Sequence, residues 1–161
     1  MTAESLGGRQ RASGRSLDTF GDAALVWSDV FLLGQRVECG YGEAAVAERL
    51  ARLGFVAIDP LAMTVPEQVR AFAAAELVAG IGGAGMFNTV FCRPGTKVLS
   101  VGDSPTFLGM HANLFASLGH EYGFVLGVHA PESAPGKLRW HADPAAVEAA
   151  ARRFFGLAQG R

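Results

Sequence analysis

The chain has 161 residues, half of them hydrophobic, and a formal net charge of −1. That is one ordinary soluble domain with enough chain for a real core, and its near-cancelling charges leave no basic footprint for nucleic acid. Two cysteines, Cys39 and Cys92, are too few for a disulfide framework and lack metal-ligand spacing, so a reducing compartment is the default.

Residues 1–22 are rich in Gly, Ser and Arg and without period, which reads as a flexible lead-in; residues 23–161 read as one domain. No signal peptide is visible, and the most apolar window is too short and glycine-laden to cross a bilayer, so the expectation is a cytoplasmic protein, with peripheral membrane association left open. Ala24 to Leu33 is apolar but interrupted by Ser28 and Asp29, and Gly34 to Gly42 reads as loop. Glu43 to Leu53 has helical spacing with Val46, Leu50 and Leu53 on one face and Gly54 as its stop. Phe55 to Ile58 reads as a strand ended by Asp59-Pro60. Thr64-Val65-Pro66-Glu67 is a capping box opening a helix to about Ala75, with Val65, Val69 and Phe72 inward.

Leu77 to Ala79 is the next strand. It runs into the cluster Gly80-Ile81-Gly82-Gly83-Ala84-Gly85, and a short helix is expected from Ala84 to Phe91. Lys97 to Val101 and Tyr122 to Val128 read as strands, with a helix over Phe107 to Leu118 between them and Gly119 as its stop. Residues 131–136 read as loop, and Asp143-Pro144 caps a last helix, Ala145 to Phe155, with Val147 and Phe154 inward. Such alternation with short connections predicts an α/β domain, a parallel-sheet Rossmann-like three-layer sandwich.

The glycine cluster is the chemistry-bearing stretch. Glycines admit close approach of a ligand to the main chain, and a helix start presents unsatisfied amides with the positive end of a dipole behind them. Phosphate is the anion such turns most often hold. The spacing Gly80-x-Gly82-x-x-Gly85 also fits a dinucleotide fingerprint, with Asp103 about 20 residues on. A tight packing turn with no ligand is the plain alternative. Asn88 reads equally as a phosphate or sugar contact or as a group satisfying local amides; Arg93 and Lys97 could neutralise phosphate, but solvated charges are the plainer reading. His111, near a helix start, is a remote candidate for a base and more simply a packing residue. His120, His129 and His141 complete no zinc pattern. Trp27 and Trp140 read as packing residues.

The pieces Leu50-Ala51-Arg52-Leu53-Gly54-Phe55, Pro66-Glu67-Gln68-Val69-Arg70-Ala71-Phe72, Gly83-Ala84-Gly85-Met86-x-Asn88, Phe91-Cys92-Arg93-Pro94-Gly95-Thr96-Lys97-Val98 and Leu114-Phe115-Ala116-Ser117-Leu118-Gly119 stand in a specific order. In that order the segment from Glu43 to about Val128 resembles the carboxyl-terminal part of glycosyltransferase family 61, which includes capsular-polysaccharide biosynthesis proteins. The resemblance implies one nucleotide-binding lobe of an inverting GT-B glycosyltransferase. Its partners would be a nucleotide-sugar donor, a glycan acceptor and a second lobe or chain, with no further cofactor. On it, Gly82, Gly83, Ala84, Gly85 and Met86 face the donor diphosphate, with Asn88 and Lys97 assisting. Two positions depart from the family: Gly82 stands where a histidine is usual, and Ser100 where a glutamate is usual. The Arg9-to-Arg15 stretch resembles the family's basic mouth only loosely. No catalytic base is identified. A non-catalytic domain that keeps the fold, and a dinucleotide-dependent oxidoreductase, are the alternative readings.

Overall fold

The structure is a computed structural model that describes residues 23–26, 31–32, 35–36, 43–103, 105–129 and 140–157. The lead-in, the Arg9-to-Arg15 stretch, Trp27, Cys39, most of the 34–42 loop and the 131–136 loop lie outside the described residues.

Nine strands and four α-helices are described. The main sheet is built from β1 (Ala23–Val26), β4 (Val56–Ile58), β5 (Leu77–Ile81), β6 (Lys97–Gly102) and β7 (Glu121–Leu126). Its order is β4-β1-β5-β6-β7, and every pairing is parallel. Two short antiparallel ribbons accompany it: β2 (Phe31–Leu32) with β3 (Gln35–Arg36), and β8 (Val128–His129) with β9 (Trp140–His141).

The helices are α1 (Glu43–Arg52), α2 (Val65–Ala74), α3 (Pro105–Ser117) and α4 (Pro144–Phe155). Alternate strand residues feed two cores. On one face Val46 and Leu50 of α1 and Val147, Ala151 and Phe155 of α4 pack on Ala79, Ile81, Leu99 and Val101. On the other, Ala71 and Phe72 of α2, Met86, and Phe115 of α3 pack on Val78 and Val98. A parallel sheet covered on both faces is the expected Rossmann-like sandwich.

Local chemistry accounts for the element ends. Gly54 and Gly119 adopt φ of +95° and +73°, the left-handed stops expected after α1 and α3, and Gly156 does the same for α4 at +71°. The Thr64 amide and hydroxyl both donate to Glu67 Oε2 at 2.7 Å, which opens α2. Asp143 Oδ1 accepts from the Ala145 amide at 2.9 Å and opens α4. Arg49 and Arg152 both donate to Glu148, joining α1 to α4, and they hold its carboxyl below the usual carboxylate range.

Two expectations change. Val65 does not face inward but is 66 % exposed, because it occupies the first turn and the burying stripe of α2 begins at Ala71 and Phe72. The helix after the glycine turn is a 3₁₀ helix, Ala84–Phe91, rather than α. Fifteen residues, 82–96, carry the chain from the end of β5 to the start of β6, and eight of them form this helix. Thr89 fastens the coil: its Oγ1 donates to Met86 O at 2.7 Å, and its carbonyl accepts from Cys92 N and from His120 Nε2.

Candidate functional site

The first sheet strand in the chain, β1, lies between β4 and β5. The chain leaving β1 reaches α1 on one face, and the chain leaving β5 turns to the 3₁₀ helix on the other. The strand order therefore reverses between β1 and β5, the place in doubly wound sheets where ligands are generally held. Gly80 stands in register with Val26 at that point, and the turn from Gly82 begins one residue after β5 ends.

The amides of this turn are not equivalent. Gly82 N donates to Val101 O at 2.6 Å, and Met86 N donates to Gly83 O at 3.0 Å. Met86 is fully buried. Gly85 also has an interaction partner. That leaves the amides of Gly83 and Ala84, which donate to no acceptor among the described residues. Gly83 is the buried, extended residue that caps the 3₁₀ helix, and Ala84 is its exposed first residue. Of the five residues of the turn, two adjacent amides are thus left without an acceptor among the described residues.

The other expected site residues separate. Asn88 is half-buried in the second turn of the 3₁₀ helix, not the first, and its side chain makes no hydrogen bond among the described residues. Lys97 is removed from the site: it opens β6 beside Leu77, at the amino edge of the sheet, and its Nζ lies 3.4 Å from Glu121 Oε2. Arg93 belongs to the same far edge, in the turn before β6. His111 is no base for an acceptor. It is fully buried, 5.3 Å from the Phe87 and Phe115 ring centroids, and burial holds its pKa below the usual histidine value. Cys92 is a buried free thiol pushed up to about 12 by desolvation, which removes it as a nucleophile.

The two departures from the family turn out to be neighbours. A Cβ placed on Gly82 would stand 3.3 Å from Ser100 Oγ and 3.7 Å from Leu108 Cδ2. Ser100 is fully buried, and its hydroxyl makes no hydrogen bond within the described residues. The nearby Tyr122 phenol donates instead to Leu108 O at 3.2 Å. Positions 82 and 100 therefore meet in one spot beside Leu108 of α3.

Sequence reasoning missed one pair at the carboxyl edge. Asp103, just past β6, lies 3.5 Å (Oδ2) from His129 Nε2 on β8. Twenty-six positions separate them, and no local pattern announces the contact; only the parallel β6–β7 register brings the two strand ends together. Among the described residues no group of three or more His, Cys, Asp and Glu side chains gathers as metal ligands would, and no helix is long and apolar enough to cross a membrane.

The fold and this turn define a doubly wound parallel α/β domain with two open amides beside its strand-order reversal. Residues 41–99 match the model of the family described as Glycosyltransferase 61, somewhat over a third of the chain. That stretch runs from the approach to α1 through the first half of β6 and contains the whole glycine turn. No curated protein matches the chain.

Proposed function

We propose that this domain is the nucleotide-sugar-binding lobe of a glycosyltransferase of the GT-B type, acting in the synthesis of a polysaccharide or other glycan. The observation that carries the reading is the pair of open amides, Gly83 and Ala84, at the reversal of strand order within the family-matched segment. A diphosphate seated there would meet two main-chain donors and the start of the 3₁₀ helix. Negative charge on that diphosphate grows as the glycosidic bond breaks, so fixed donors there stabilise the transition state more than the ground state. Asn88, from the next turn, would reach the donor only at its margin. The donor is substrate, and the reading needs no bound cofactor. A second lobe or chain would supply the acceptor side.

The oxidoreductase alternative fits less well. Its glycine fingerprint belongs after the first strand of the sheet, and here the turn follows the third in chain order. Calorimetric titration with UDP, GDP and NADH separates the readings. The proposal expects saturable heat with a nucleoside diphosphate and weaker or no binding of NADH. Tighter binding of NADH would overturn it in favour of the oxidoreductase, and no heat or thermal shift at millimolar nucleotide would leave a fold without the binding function.

A further inference from the structure

We infer that β7 is the seam of a symmetric dimer, pairing edge to edge with β7 of a second copy of this chain; the pairing is independent of the nucleotide-sugar reading above. β7 is an edge strand of the main sheet. Its inner side is fixed by hydrogen bonds: Glu121 N donates to Thr96 O at 3.1 Å and Gly127 N to Gly102 O at 2.8 Å. Between them the register with β6 runs unbroken from Lys97–Glu121 to Gly102–Leu126. Main-chain groups of successive strand residues point to opposite sides, so Glu121, Gly123, Val125 and Gly127 turn theirs to β6. Tyr122, Phe124 and Leu126 turn theirs outward, and their amides have no acceptor among the described residues.

The two outer strands of the sheet differ. β4 has three residues, a short edge of the kind that discourages further pairing. β7 has six, with no proline, no lysine and no bulge. Such an edge templates another strand unless something covers it. Tyr122 packs on Phe115 and donates to Leu108 O at 3.2 Å, so this face of β7 lies under α3. Phe124 and Leu126 share the face by alternation, yet they are 54 % and 50 % exposed. One side of α3 meets the 3₁₀ helix through His111 and Phe87. The other side carries Gly109, Ala112 and Ala116, too small to shield the strand or to obstruct a neighbour.

The strand is complementary to itself. With a two-fold axis at Phe124, antiparallel pairing sets Phe124 against its counterpart and Tyr122 against Leu126 of the second copy. Every outward amide and carbonyl of β7 then finds an outward residue across the seam, and each exposed apolar side chain meets another. Glu121, the one charged residue of β7, opposes Gly127 of the second copy. The two carboxylates fall at opposite ends of the seam, each 3.4 Å from Lys97 Nζ of its own chain. Moving the axis by one residue leaves either Leu126 or Tyr122 without a counterpart in β7. The β8–β9 ribbon does not occupy the place, because Trp140 of β9 packs on the α1/α4 face with Ile81 and Val101. The contact is at the small end for a stable pair, so a reversible dimer with a Kd of about 10 μM is expected. The carboxyl edges of the two sheets point in opposite directions, and each glycine turn, following β5, stays clear of the seam.

The test is sedimentation equilibrium of the full chain from about 1 to 200 μM. Wild type is expected to pass from one chain toward two across that range. Phe124→Glu and Phe124→Lys each set like charges against each other on the axis, and each alone should stay monomeric. Mixed in equal amounts, they should associate about tenfold or more tightly than either with itself. A wild type monomeric throughout, a dimer that survives Phe124→Glu, or a mixture no more associated than its parts overturns the proposal. Amide exchange of wild type reads the same seam without a variant. The Tyr122, Phe124 and Leu126 amides should exchange about fivefold faster at 1 μM than at 200 μM. Slow exchange independent of concentration would mean that another segment of this chain covers the edge, and fast exchange at both would mean that nothing does; either overturns the dimer.

Discussion

The two edges of the sheet are built on opposite principles. At the amino edge the main chain is bonded across from strand to strand. Lys97 N donates to Glu76 O, Glu121 N to Thr96 O, and Gly95 N to Gly119 O, all between 2.8 and 3.1 Å. Thr96 adds side-chain bonds to Arg93 O and Ala75 O, and Lys97 faces Glu121. At the carboxyl edge two amides of the glycine turn and a buried serine hydroxyl find no acceptor or donor among the described residues, and Leu126 and Val128 are exposed. Donors used within the fold hold it together. An edge with donors in reserve has something to offer a ligand, at some cost in stability.

Substitutions can break or sharpen that contrast. The largest expected effect is at Gly127→Ala, where the new methyl would collide with Trp140 and with the His141 carbonyl. A loss of about 3 kcal/mol in urea unfolding is expected; a loss under about 1 kcal/mol would mean that the β8–β9 ribbon is not anchored by Trp140 and that the carboxyl edge is loose throughout. Next comes Thr96→Val on the amino edge. It removes the hydroxyl that donates to Arg93 O at 2.8 Å and Ala75 O at 3.3 Å, and about 1–2 kcal/mol should be lost with nucleotide affinity unchanged. A change in affinity there would erase the distinction between the edges.

Ser100→Ala runs the other way. Deleting a buried hydroxyl without a hydrogen bond should raise stability by about 1 kcal/mol, and a loss instead would show that the hydroxyl is engaged. The smallest effect is a pH dependence. Burial depresses the His111 pKa in the folded state, so the unfolded chain binds its proton first. The stability this residue contributes is complete above the unfolded histidine pKa of about 6.5 and is lost as pH falls from there toward the folded value. The urea midpoint of wild type should therefore drop more on acidification below pH 6.5 than that of His111→Leu; parallel curves would remove the effect.

The architecture was legible in the sequence wherever one local device decided it. Gly54, Gly119, the Thr64–Glu67 box and Asp143-Pro144 mark ends that the fold keeps. The strand order was not legible, because pairing β1 between β4 and β5 depends on buried faces far apart in the chain. The glycine turn was visible as a turn, but which of its amides remain open was not. Gly82 spends its donor on Val101, a residue of the neighbouring strand. Lys97 was misplaced for the same reason: its sequence distance from the turn is small, yet a parallel strand connection returns it to the opposite edge. His129 was read only as lacking metal spacing, since its partner Asp103 is met through sheet register alone.

The central claim is that the Gly83 and Ala84 amides hold a diphosphate, and Ala84→Pro tests it most directly. Proline fits the first helical position, its extended predecessor Gly83 already has the backbone that a following proline favours, and the only group deleted is an amide with no acceptor among the described residues. Calorimetry with the nucleoside diphosphate that binds wild type should show affinity reduced about tenfold or more, as expected for one charge-assisted hydrogen bond, with the urea midpoint unchanged. Undiminished affinity in the folded variant would contradict the account.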